Sequence, residues 1–292
     1  MTIKELPLVG LGTWLLTDFD ELKSSIKAAI DTGYQHIDTA QVYNNEYDIG
    51  IILKELEIDP SKLFLTTKVT PVNYQKYVKE SVYESLRRLQ VDSINLVLLH
   101  AEAAEESLNS SAYKELLELQ AAGIIQHVGV SNFSIKGIQT LIAETGKVPY
   151  CNQIVCSPTT RSLDLEKYCQ TQGIKLTGYS IIKPYFSPNP FYPESALTSA
   201  EKEQLDQLCE NYSVSIAQLL NKWAIQHGYH VIPKSANPKR VRENFELDFE
   251  ISETDMLLMD RMNRFTAARE WNGIELTKEQ LEKGLLFEKH FK

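Results

Sequence analysis

The fold class can be inferred from residues 63–100, whose sequence is LFLTTKVTPVNYQKYVKESVYESLRRLQVDSINLVLLH. The segment opens on a short run rich in apolar and β-branched residues, Leu63–Lys68, and closes on another, Ile94–His100. Such runs favour strands of a parallel sheet that is covered on both faces. The longer stretch between them, Gln75–Leu89, has the apolar spacing of an amphipathic helix. The segment therefore predicts a strand–helix–strand unit.

The same unit recurs along the chain, with strand candidates beginning about every 25–30 residues. Eight strands that alternate with helices predict an α/β protein, a single-domain (β/α)8 barrel over residues 1–292 whose tail, from about residue 264, packs over the barrel. An open doubly wound sheet is the alternative, with fewer strands and a glycine-rich first turn. The other six predicted strands are Leu8–Trp14, Gln35–Asp38, Gln126–Val130, Cys151–Val155, Lys175–Tyr179 and His230–Pro233.

Helices are predicted in the intervals, and their ends carry capping signals. Asp20 and Ser134 stand at expected N-caps, and Gly33 and Gly146 follow expected helix ends. The proline-rich stretch Lys183–Pro193 is predicted to be a loop. The remaining predicted helices are Glu21–Asp31, Ala112–Ala122, Ile135–Glu144, Ser199–Glu210 and Ser215–Gln226.

The composition argues against several classes of function. The chain has 292 residues, 43% of them hydrophobic, and a net charge of -9. No basic stripe is present, which argues against a nucleic-acid partner. No uncharged run reaches the length of about 20 residues that a membrane helix needs. The first ten residues lack the pattern of a signal peptide, and the four cysteines lack metal-ligand spacing, so a cytoplasmic protein with reduced thiols is expected.

Polar residues follow three successive predicted strands. Asp38, Lys68 and His100 each end a strand, and Tyr43 lies in the loop after Asp38. Taken alone, each has an ordinary structural explanation, such as an ion pair or a hydrogen-bonded core histidine. In a barrel, however, the carboxyl ends of the strands meet at one face, where catalytic groups lie. Their convergence predicts a catalytic site.

Five segments in this order resemble the successive signatures of the aldo-keto reductase family, over about residues 8–263. Within that family the sequence is most similar to the bacterial diketogluconate and methylglyoxal reductases. The segments are DTGYQHIDTAQVYNNE (31–46), LFLTTKV (63–69), INLVLLH (94–100), HVGVSNF (127–133) and VIPKSANPKRVRENF (231–245).

The resemblance implies NADPH-dependent reduction of an aldehyde or ketone to an alcohol. Tyr43 would be the general acid that protonates the carbonyl oxygen. A phenol is a weak acid at neutral pH, so Lys68 would lower its pKa, and Asp38 would hold Lys68 in place. His100 would donate a hydrogen bond to the carbonyl oxygen. Trp14 would form an apolar wall of the substrate site.

The resemblance also implies a set of residues that bind NADPH or NADP+. Thr13 belongs to this set. The nicotinamide carboxamide would be held by Ser131, Asn132 and Gln153, and its ring would stack on Tyr179. The pyrophosphate would be covered by Ser180 and Ile182. The 2′-phosphate would be held by Lys234, Ser235 and Arg240, and the adenine by Glu243 and Asn244.

Several features depart from the family pattern, among them a shortened N-terminal hairpin and two internal segments. Ala101-Glu102 follows His100, where Trp-Pro or a similar pair is usual, and IIKPY follows Ser180 in place of a Pro-Leu-Gly run. The loop after His100 also carries Glu105 and Glu106. Its acidic residues either form a solvated face or line the mouth of the site. In the second case they would repel anions and favour small neutral aldehydes or dicarbonyls.

Other functions fit the sequence less well. Tyr179 and Lys183 match the Y-x-x-x-K pattern of short-chain dehydrogenases, but Pro184 follows at once and Gly10 and Gly12 lack a third glycine. The histidines form no metal-ligand motif, which argues against a metal hydrolase. A regulatory or structural barrel that binds NADP(H) without turnover is the main alternative. The intact catalytic set favours an enzyme that acts on a small-molecule carbonyl substrate. A monomer is expected, because no exposed heptad or long apolar edge appears and a closed barrel has no free strand edges.

Overall fold

Eight parallel strands form the centre of the computed structural model, which describes residues 5–187, 195–264 and 273–283. Each strand pairs with the next in sequence order. This is the predicted (β/α)8 barrel, and the open-sheet alternative is wrong. The strands are β1 (Leu11–Gly12), β2 (His36–Asp38), β3 (Phe64–Val69), β4 (Ile94–Leu99), β5 (Ile125–Ser131), β6 (Cys151–Val155), β7 (Lys175–Tyr179) and β8 (Tyr229–Val231).

Backbone hydrogen bonds between the first and last strands close the barrel. The Gly10 amide donates to the Val231 carbonyl at 2.8 Å, and the Gly12 amide donates to the Pro233 carbonyl at 3.1 Å. The two segments approach so closely that a Cβ atom on Gly12 would lie 2.5 Å from the Ile232 carbonyl oxygen. Glycine at this position is therefore required for closure.

Helices cover the outside of the barrel. Neighbouring helices pack against one another and against the strands beneath them. The helices are α1 (Phe19–Thr32), α2 (Glu46–Glu55), α3 (Val78–Leu89), α4 (Glu106–Ala121), α5 (Ile135–Thr145), α6 (Leu163–Gln172), α7 (Lys183–Phe186), α8 (Ser199–Tyr212), α9 (Ile216–Gln226), α10 (Pro238–Glu243), α11 (Glu253–Asp260) and α12 (Lys278–Lys283).

The alternation of side chains along β3 decides which residues enter the barrel. Phe64 packs in a small inner cluster with Leu96 and Leu98, whereas Leu65 belongs to the large cluster between strands and helices. Successive side chains of a strand point to opposite faces. Lys68 is four residues beyond Phe64, so its side chain points into the barrel, at the carboxyl end of the strand.

Three of the four predicted capping residues are confirmed. Ser134 caps α5 by accepting from the Gly137 amide, and Gly33 and Gly146 end their helices in the left-handed conformation. Asp20 is not an N-cap. The cap of α1 is Asp18, whose side chain accepts from the Glu21 amide at 2.9 Å. Asp20 and Glu21 instead lie in the first turn, where their charges favour the helix dipole.

Several other boundaries differ from the prediction. Helix α4 begins at Glu106 rather than Ala112, and α3 begins at Val78 rather than Gln75. Lys183–Phe186 is helical rather than a loop, and residues 188–194 of the predicted loop lie outside the described residues. All four cysteines are free. No helix in the described parts of the chain is both long and apolar enough to cross a membrane.

The described part of the C-terminal tail contacts the barrel. Ile274 forms a parallel bridge with Ala103, and its amide donates to the Glu102 carbonyl at 2.7 Å. Leu281 of α12 is buried. Trp271, Phe287 and Phe291, which the sequence suggested as packing residues of the tail, lie outside the described residues.

Candidate active site

A buried ion pair lies at the carboxyl ends of β2 and β3. The Lys68 ammonium donates to the Asp38 carboxylate at 2.5 Å and to the Thr39 carbonyl at 2.8 Å. The side chains of Lys68 and Asp38 are 0% and 2% exposed. Gln153, on the opposite side of the barrel, donates to the second Asp38 oxygen at 2.8 Å. Both charges are therefore hydrogen-bonded although both side chains are almost fully buried.

The Tyr43 hydroxyl lies directly above this pair. Lys68 Nζ is 3.4 Å from the Tyr43 oxygen and 4.9 Å from the centre of its ring. A short turn of helix, Gln41–Tyr43, carries the tyrosine, and it ends at Asn44 in the left-handed conformation. The His100 ring meets the Tyr43 ring edge to face, with centroids 5.8 Å apart. The four residues predicted to be catalytic therefore form one cluster.

Burial and charge act in opposite directions on Tyr43. Burial raises the pKa of its phenol, and Asp38 also raises it, whereas the charge and hydrogen bond of Lys68 lower it. The net direction in the free protein is upward. Lys68 thus acts on the pKa of Tyr43 in the expected downward direction, but in the free protein burial has the larger effect.

The ammonium itself remains charged. Burial favours the neutral amine, but the Asp38 carboxylate and Tyr43 outweigh it and raise the pKa of Lys68. A positive charge thus stays below the phenol at neutral pH. His100, by contrast, is neutral, because burial and the nearby Lys68 charge lower its pKa to about 3. One ring nitrogen of a neutral imidazole is a donor and the other an acceptor.

A second wall of the site comes from β5, β6 and β7. Ser131 pairs in register with Gln153, and its hydroxyl donates to the Gln153 carbonyl at 2.9 Å. The Asn132 amide donates to the His100 carbonyl at 3.2 Å, and the Tyr179 hydroxyl donates to the Asn132 side-chain oxygen at 2.7 Å. These contacts join four predicted cofactor residues to the catalytic cluster.

Residues with strained backbone surround the site. Leu15, Asn44, Asn132 and Ser180 all have φ between 56° and 63°, which is uncommon for residues other than glycine. Each either belongs to the predicted site or directly follows one of its residues in the sequence. Such backbone persists when the surrounding contacts fix it, and it is concentrated at functional sites. The Asn45 side chain supplies some of those contacts by donating to the Thr13 and Leu16 carbonyls at 2.9 and 3.1 Å.

These residues enclose one cleft of about 500 Å³ at the carboxyl face of the barrel. Lys68 lies beneath its floor. No group of three His, Cys, Asp or Glu side chains in the described ranges is arranged to hold a metal ion. The predicted site residues that line the cleft are Thr13, Trp14, Asp38, Tyr43, His100, Ser131, Asn132, Gln153, Tyr179, Ser180, Ile182 and Lys234.

The other predicted cofactor residues lie beyond the cleft, after β8. Arg240 is exposed on α10, and Ser235 is buried beside the Asn237 cap of that helix. Glu243 lies near Lys239 at 3.6 Å, and Asn244 is buried at the end of α10. The sequence thus predicted an extended site that continues from the cleft along α10.

The acidic residues of the loop after His100 do not line the cleft. The Glu102 carboxylate accepts from the Ser134 amide at 2.7 Å and from the Ser134 hydroxyl at 3.2 Å. Burial raises the pKa of Glu102, although these two hydrogen bonds oppose the shift. Its carboxylate is so close to α5 that a Cβ atom on Gly137 would lie 2.4 Å away. Glu102 therefore anchors the loop to the start of α5.

Several residues that line the cleft were missed by sequence reasoning. Ile274 comes from the tail, and Asn221 lies on the barrel-facing side of α9. Lys183 belongs to the IIKPY segment, and the departure of that segment from the family pattern was a signal that its residues differ in their contacts. Asn221 also gave a signal, since it interrupts an apolar face that includes Leu219, Leu220 and Trp223. The remaining lining residues are Gly12, Val42, Thr70, Pro71, Ala101, Gly178, Ile181, Ile232 and Pro233.

Comparison with known proteins identifies the family. The family model described as the aldo/keto reductase family matches residues 8–264. The chain belongs to the aldo/keto reductase family. It is an oxidoreductase that acts on carbonyl groups, and the resemblance drawn from its five segments is confirmed.

Bacterial reductases are among its relatives. Glyoxal reductase of Bacillus subtilis (strain 168) is 34% identical over 262 residues, which cover 89% of this chain and 90% of that protein. Methylglyoxal reductase DkgA of Escherichia coli (strain K12) is 32% identical over 252 residues, which cover 86% and 87%. The crystal structure of a Bombyx mori aldo-keto reductase in complex with NADP has a TM-score of 0.79 at 28% identity and covers 89% of this chain and 90% of that one. The similarity to methylglyoxal reductases is thus confirmed.

The neutral state of His100 predicts a pH-dependent stability. In the unfolded chain this histidine binds a proton near its ordinary pKa of about 6.5. The folded protein does not bind that proton until the pH falls to about 3, so stability is lost as the pH falls below 6.5. Between pH 7.5 and 5.5, His100 should therefore cost about 1 kcal/mol of unfolding free energy.

The variant His100→Gln isolates this effect because glutamine does not titrate. Urea unfolding at both pH values should show that the wild type loses about 1 kcal/mol more than His100→Gln. Other titrating groups, including Glu102 and His36, are common to both proteins and cancel in the comparison. An identical pH dependence in the two proteins would contradict the neutral imidazole.

Proposed function

We propose that this protein uses NADPH to reduce small aldehydes or dicarbonyls to alcohols, with Tyr43 as the general acid. One observation carries the proposal: the buried Lys68–Asp38 pair supports the Tyr43 hydroxyl at the floor of a cleft whose opposite wall holds Asn132, Gln153 and Tyr179. A proton donor and a row of amide groups thus face one another across a single cleft.

The cleft suits a nicotinamide dinucleotide at both ends. At its inner end, Ser131, Asn132 and Gln153 offer hydroxyl and amide groups that match a carboxamide, and Tyr179 offers an aromatic face. At the outer end Lys234 lines the cleft, and Arg240 lies beyond it on α10. Both are exposed cations with no acidic partner among the described residues. Such groups suit the 2′-phosphate that distinguishes NADPH from NADH. The NADP complex of the Bombyx mori relative supports the same assignment.

Bound NADPH would supply a hydride to the carbonyl carbon. The charge that develops on the carbonyl oxygen then has to be neutralised, and Tyr43 is the acid positioned to do this. Lys68 stabilises the phenolate left after proton transfer, because its ammonium is 3.4 Å from the oxygen and is shielded from water. Asp38 keeps that ammonium in place. His100, being neutral, donates a hydrogen bond that orients the carbonyl.

The substrate end of the cleft favours small neutral carbonyl compounds. Its walls include the apolar side chains of Trp14, Val42, Ala101 and Ile274. The acidic residues of the loop after His100 are not the basis of this preference, since the Glu102 carboxylate binds Ser134 and is turned away from the cleft. The names of the relatives, glyoxal reductase and methylglyoxal reductase, support dicarbonyls as the first substrates to assay.

We propose further that the protein acts as a monomer in the cytoplasm. The closed barrel leaves no strand edge available for pairing with a second chain. All four cysteines are free, as expected in a reducing compartment.

Replacing the general acid should abolish catalysis and leave cofactor binding intact. In Tyr43→Phe the ring remains and only the proton donor is lost. General acid catalysis contributes a factor of about 10² to 10⁴, so kcat for methylglyoxal should fall by at least a hundredfold. NADPH affinity, measured by fluorescence titration, should change little, because Tyr43 lies at the substrate side of the cleft.

Tyr83→Phe is the matched control, since Tyr83 is half-exposed on α3, outside the cleft. It should keep full activity. A Tyr43→Phe enzyme with more than a tenth of the wild-type activity would refute the role of Tyr43. A wild type that binds NADPH but reduces no aldehyde or dicarbonyl would favour the regulatory or structural alternative.

The cofactor preference should depend on Arg240. A charge-assisted hydrogen bond contributes about 1.5–3 kcal/mol, so Arg240→Ala should weaken NADPH binding by about one to two orders of magnitude. NADH lacks the 2′-phosphate, and its affinity should barely change. The protein is acidic overall, with a net charge of -9, so this discrimination has to come from local cations.

Arg242→Ala is the control, because Arg242 is also exposed on α10 but was not assigned to the phosphate. It should bind both cofactors as the wild type does. Equal losses of NADPH and NADH affinity in Arg240→Ala would mean that Arg240 supports the fold rather than the phosphate. A wild type that binds NADH as tightly as NADPH would overturn the cofactor assignment.

A further inference from the structure

Glu102 connects three segments beside the cleft. It is 7% exposed, and its carboxylate accepts from the Ser134 amide at 2.7 Å and from the Ser134 hydroxyl at 3.2 Å. Its main-chain carbonyl accepts from the Ile274 amide of the tail at 2.7 Å. Glu102 therefore links the loop after β4 to the start of α5 through its side chain, and to the tail through its main chain.

The Glu102 carboxylate is costly to bury. Burial raises its pKa, and the nearby Glu106 carboxylate adds to the shift. Within residues 5–187, 195–264 and 273–283, no cationic side chain lies close enough to form an ion pair with it. The proline that is usual here in the family has no side-chain acceptor and would avoid this cost. A buried charge without a counterion breaks a packing rule, and such exceptions are expected at functional sites.

The turn that Glu102 holds carries Asn132. This turn leads from β5 into α5, and Asn132 has a φ of 56°, which is uncommon for a residue other than glycine. Such a conformation persists only where the surrounding contacts fix it. On the β4 side, the turn is bound by the His100 carbonyl, through the Asn132 side chain at 3.2 Å, and by Glu102, through Ser134. The Glu102 contact therefore keeps the turn against the strand that leads to His100.

The orientation of the Asn132 side chain decides what it offers to a ligand. Its nitrogen donates to the His100 carbonyl at 3.2 Å and to the Ser131 hydroxyl at 3.0 Å, which uses both of its hydrogens. Its oxygen accepts from the Tyr179 hydroxyl at 2.7 Å and has a second lone pair. Asn132 lines the cleft, where an amide N–H of a ligand can donate to that oxygen. Moving the turn away from the His100 carbonyl would release the nitrogen and let the amide rotate.

We propose that Glu102 is a positioning residue that fixes Asn132 for the nicotinamide carboxamide. Glu102 does not line the cleft, so it acts through Ser134 and the turn rather than by touching the cofactor. This inference rests on the proposed function, because it assumes that Asn132 binds the carboxamide of NADPH. By holding the end of β4 against the end of β5, Glu102 also fixes the distance between the nicotinamide wall and His100.

Three substitutions of Glu102 separate its hydrogen bonds from its charge. Glu102→Ala removes both. Glu102→Gln keeps the length and an acceptor oxygen without the charge, whereas Glu102→Asp keeps the charge and is one methylene shorter. Because the proposal depends on reaching Ser134, NADPH affinity should fall about tenfold in Glu102→Ala and in Glu102→Asp, and little in Glu102→Gln. Fluorescence titration with NADPH measures these affinities.

A double-mutant cycle tests whether Glu102 acts through Asn132. Asn132→Ala removes the proposed carboxamide contact, so adding Glu102→Ala to it should cause no further loss of NADPH affinity. Adenosine 2′-monophosphate has no nicotinamide, and its affinity should be the same in all variants as in the wild type. A contact that only supports the fold would instead give losses that add, or losses for both ligands.

Glu106→Ala is the matched control. Glu106 lies in the same loop and pairs with Lys136 of the same helix at 2.5 Å, but both side chains are exposed. An exposed ion pair contributes little to stability, so this variant should bind NADPH as the wild type does. Thermal unfolding of each ligand-free variant checks that it is folded. If Glu102→Ala does not fold, the comparison of Glu102→Gln with Glu102→Asp carries the test.

Three outcomes would overturn the inference. The first is unchanged NADPH affinity in folded Glu102→Ala and Glu102→Asp. The second is an affinity that follows the charge, with Asp near the wild type and Gln weak, which would mean that Glu102 acts on the dipole of α5. The third is additive losses in the cycle, which would mean that it acts independently of Asn132. A wild type that does not bind NADPH at all would instead overturn the proposed function, and the inference with it.

Discussion

The ion pair between Lys68 and Asp38 is the constraint on which the site depends. Taking two charges out of water is costly, and a buried pair is tolerated only when further hydrogen bonds satisfy both groups. Here the Thr39 carbonyl and the Gln153 amide supply those bonds, from opposite sides of the barrel. Removing one partner of such a pair typically costs about 3–5 kcal/mol, so the strand ends that carry these residues are held in one arrangement.

The same bonds connect the two chemical functions of the cleft. Asp38 accepts from Gln153, which lies beside Ser131 in the neighbouring strand, and Asn132 joins His100 to Tyr179. The wall assigned to the nicotinamide and the floor that carries Tyr43 are therefore parts of one hydrogen-bonded network. A cofactor held by that wall, as we propose, would have a fixed position relative to Tyr43, which efficient transfer to a carbonyl group requires.

The sequence predicted the barrel and the proximity of the four residues assigned to catalysis, because both depend on short periodic patterns. Strand ends can be located from apolar runs, and the barrel topology brings Asp38, Lys68 and His100 together. Contacts between distant segments could not be predicted from the sequence. The anchoring of Glu102 at the start of α5 depends on a close approach to Gly137, and the entry of Ile274 into the cleft depends on the path of the tail. Local sequence patterns do not indicate which distant segments come into contact. Asp18 was missed as the cap of α1 for a different reason, because Asp20 offers the same chemistry two residues later.

We propose that the Lys68 ammonium lowers the pKa of Tyr43 against the effect of burial, and titration of that phenol measures this effect. Nuclear magnetic resonance of ligand-free protein with ¹³C-labelled tyrosine reports it, and Tyr43→Phe identifies its signal. Burial raises the pKa of Tyr43 while Lys68 opposes the shift. In Lys68→Met the phenol should therefore titrate at a higher pH than in the wild type. A titration at the same or a lower pH would contradict the account.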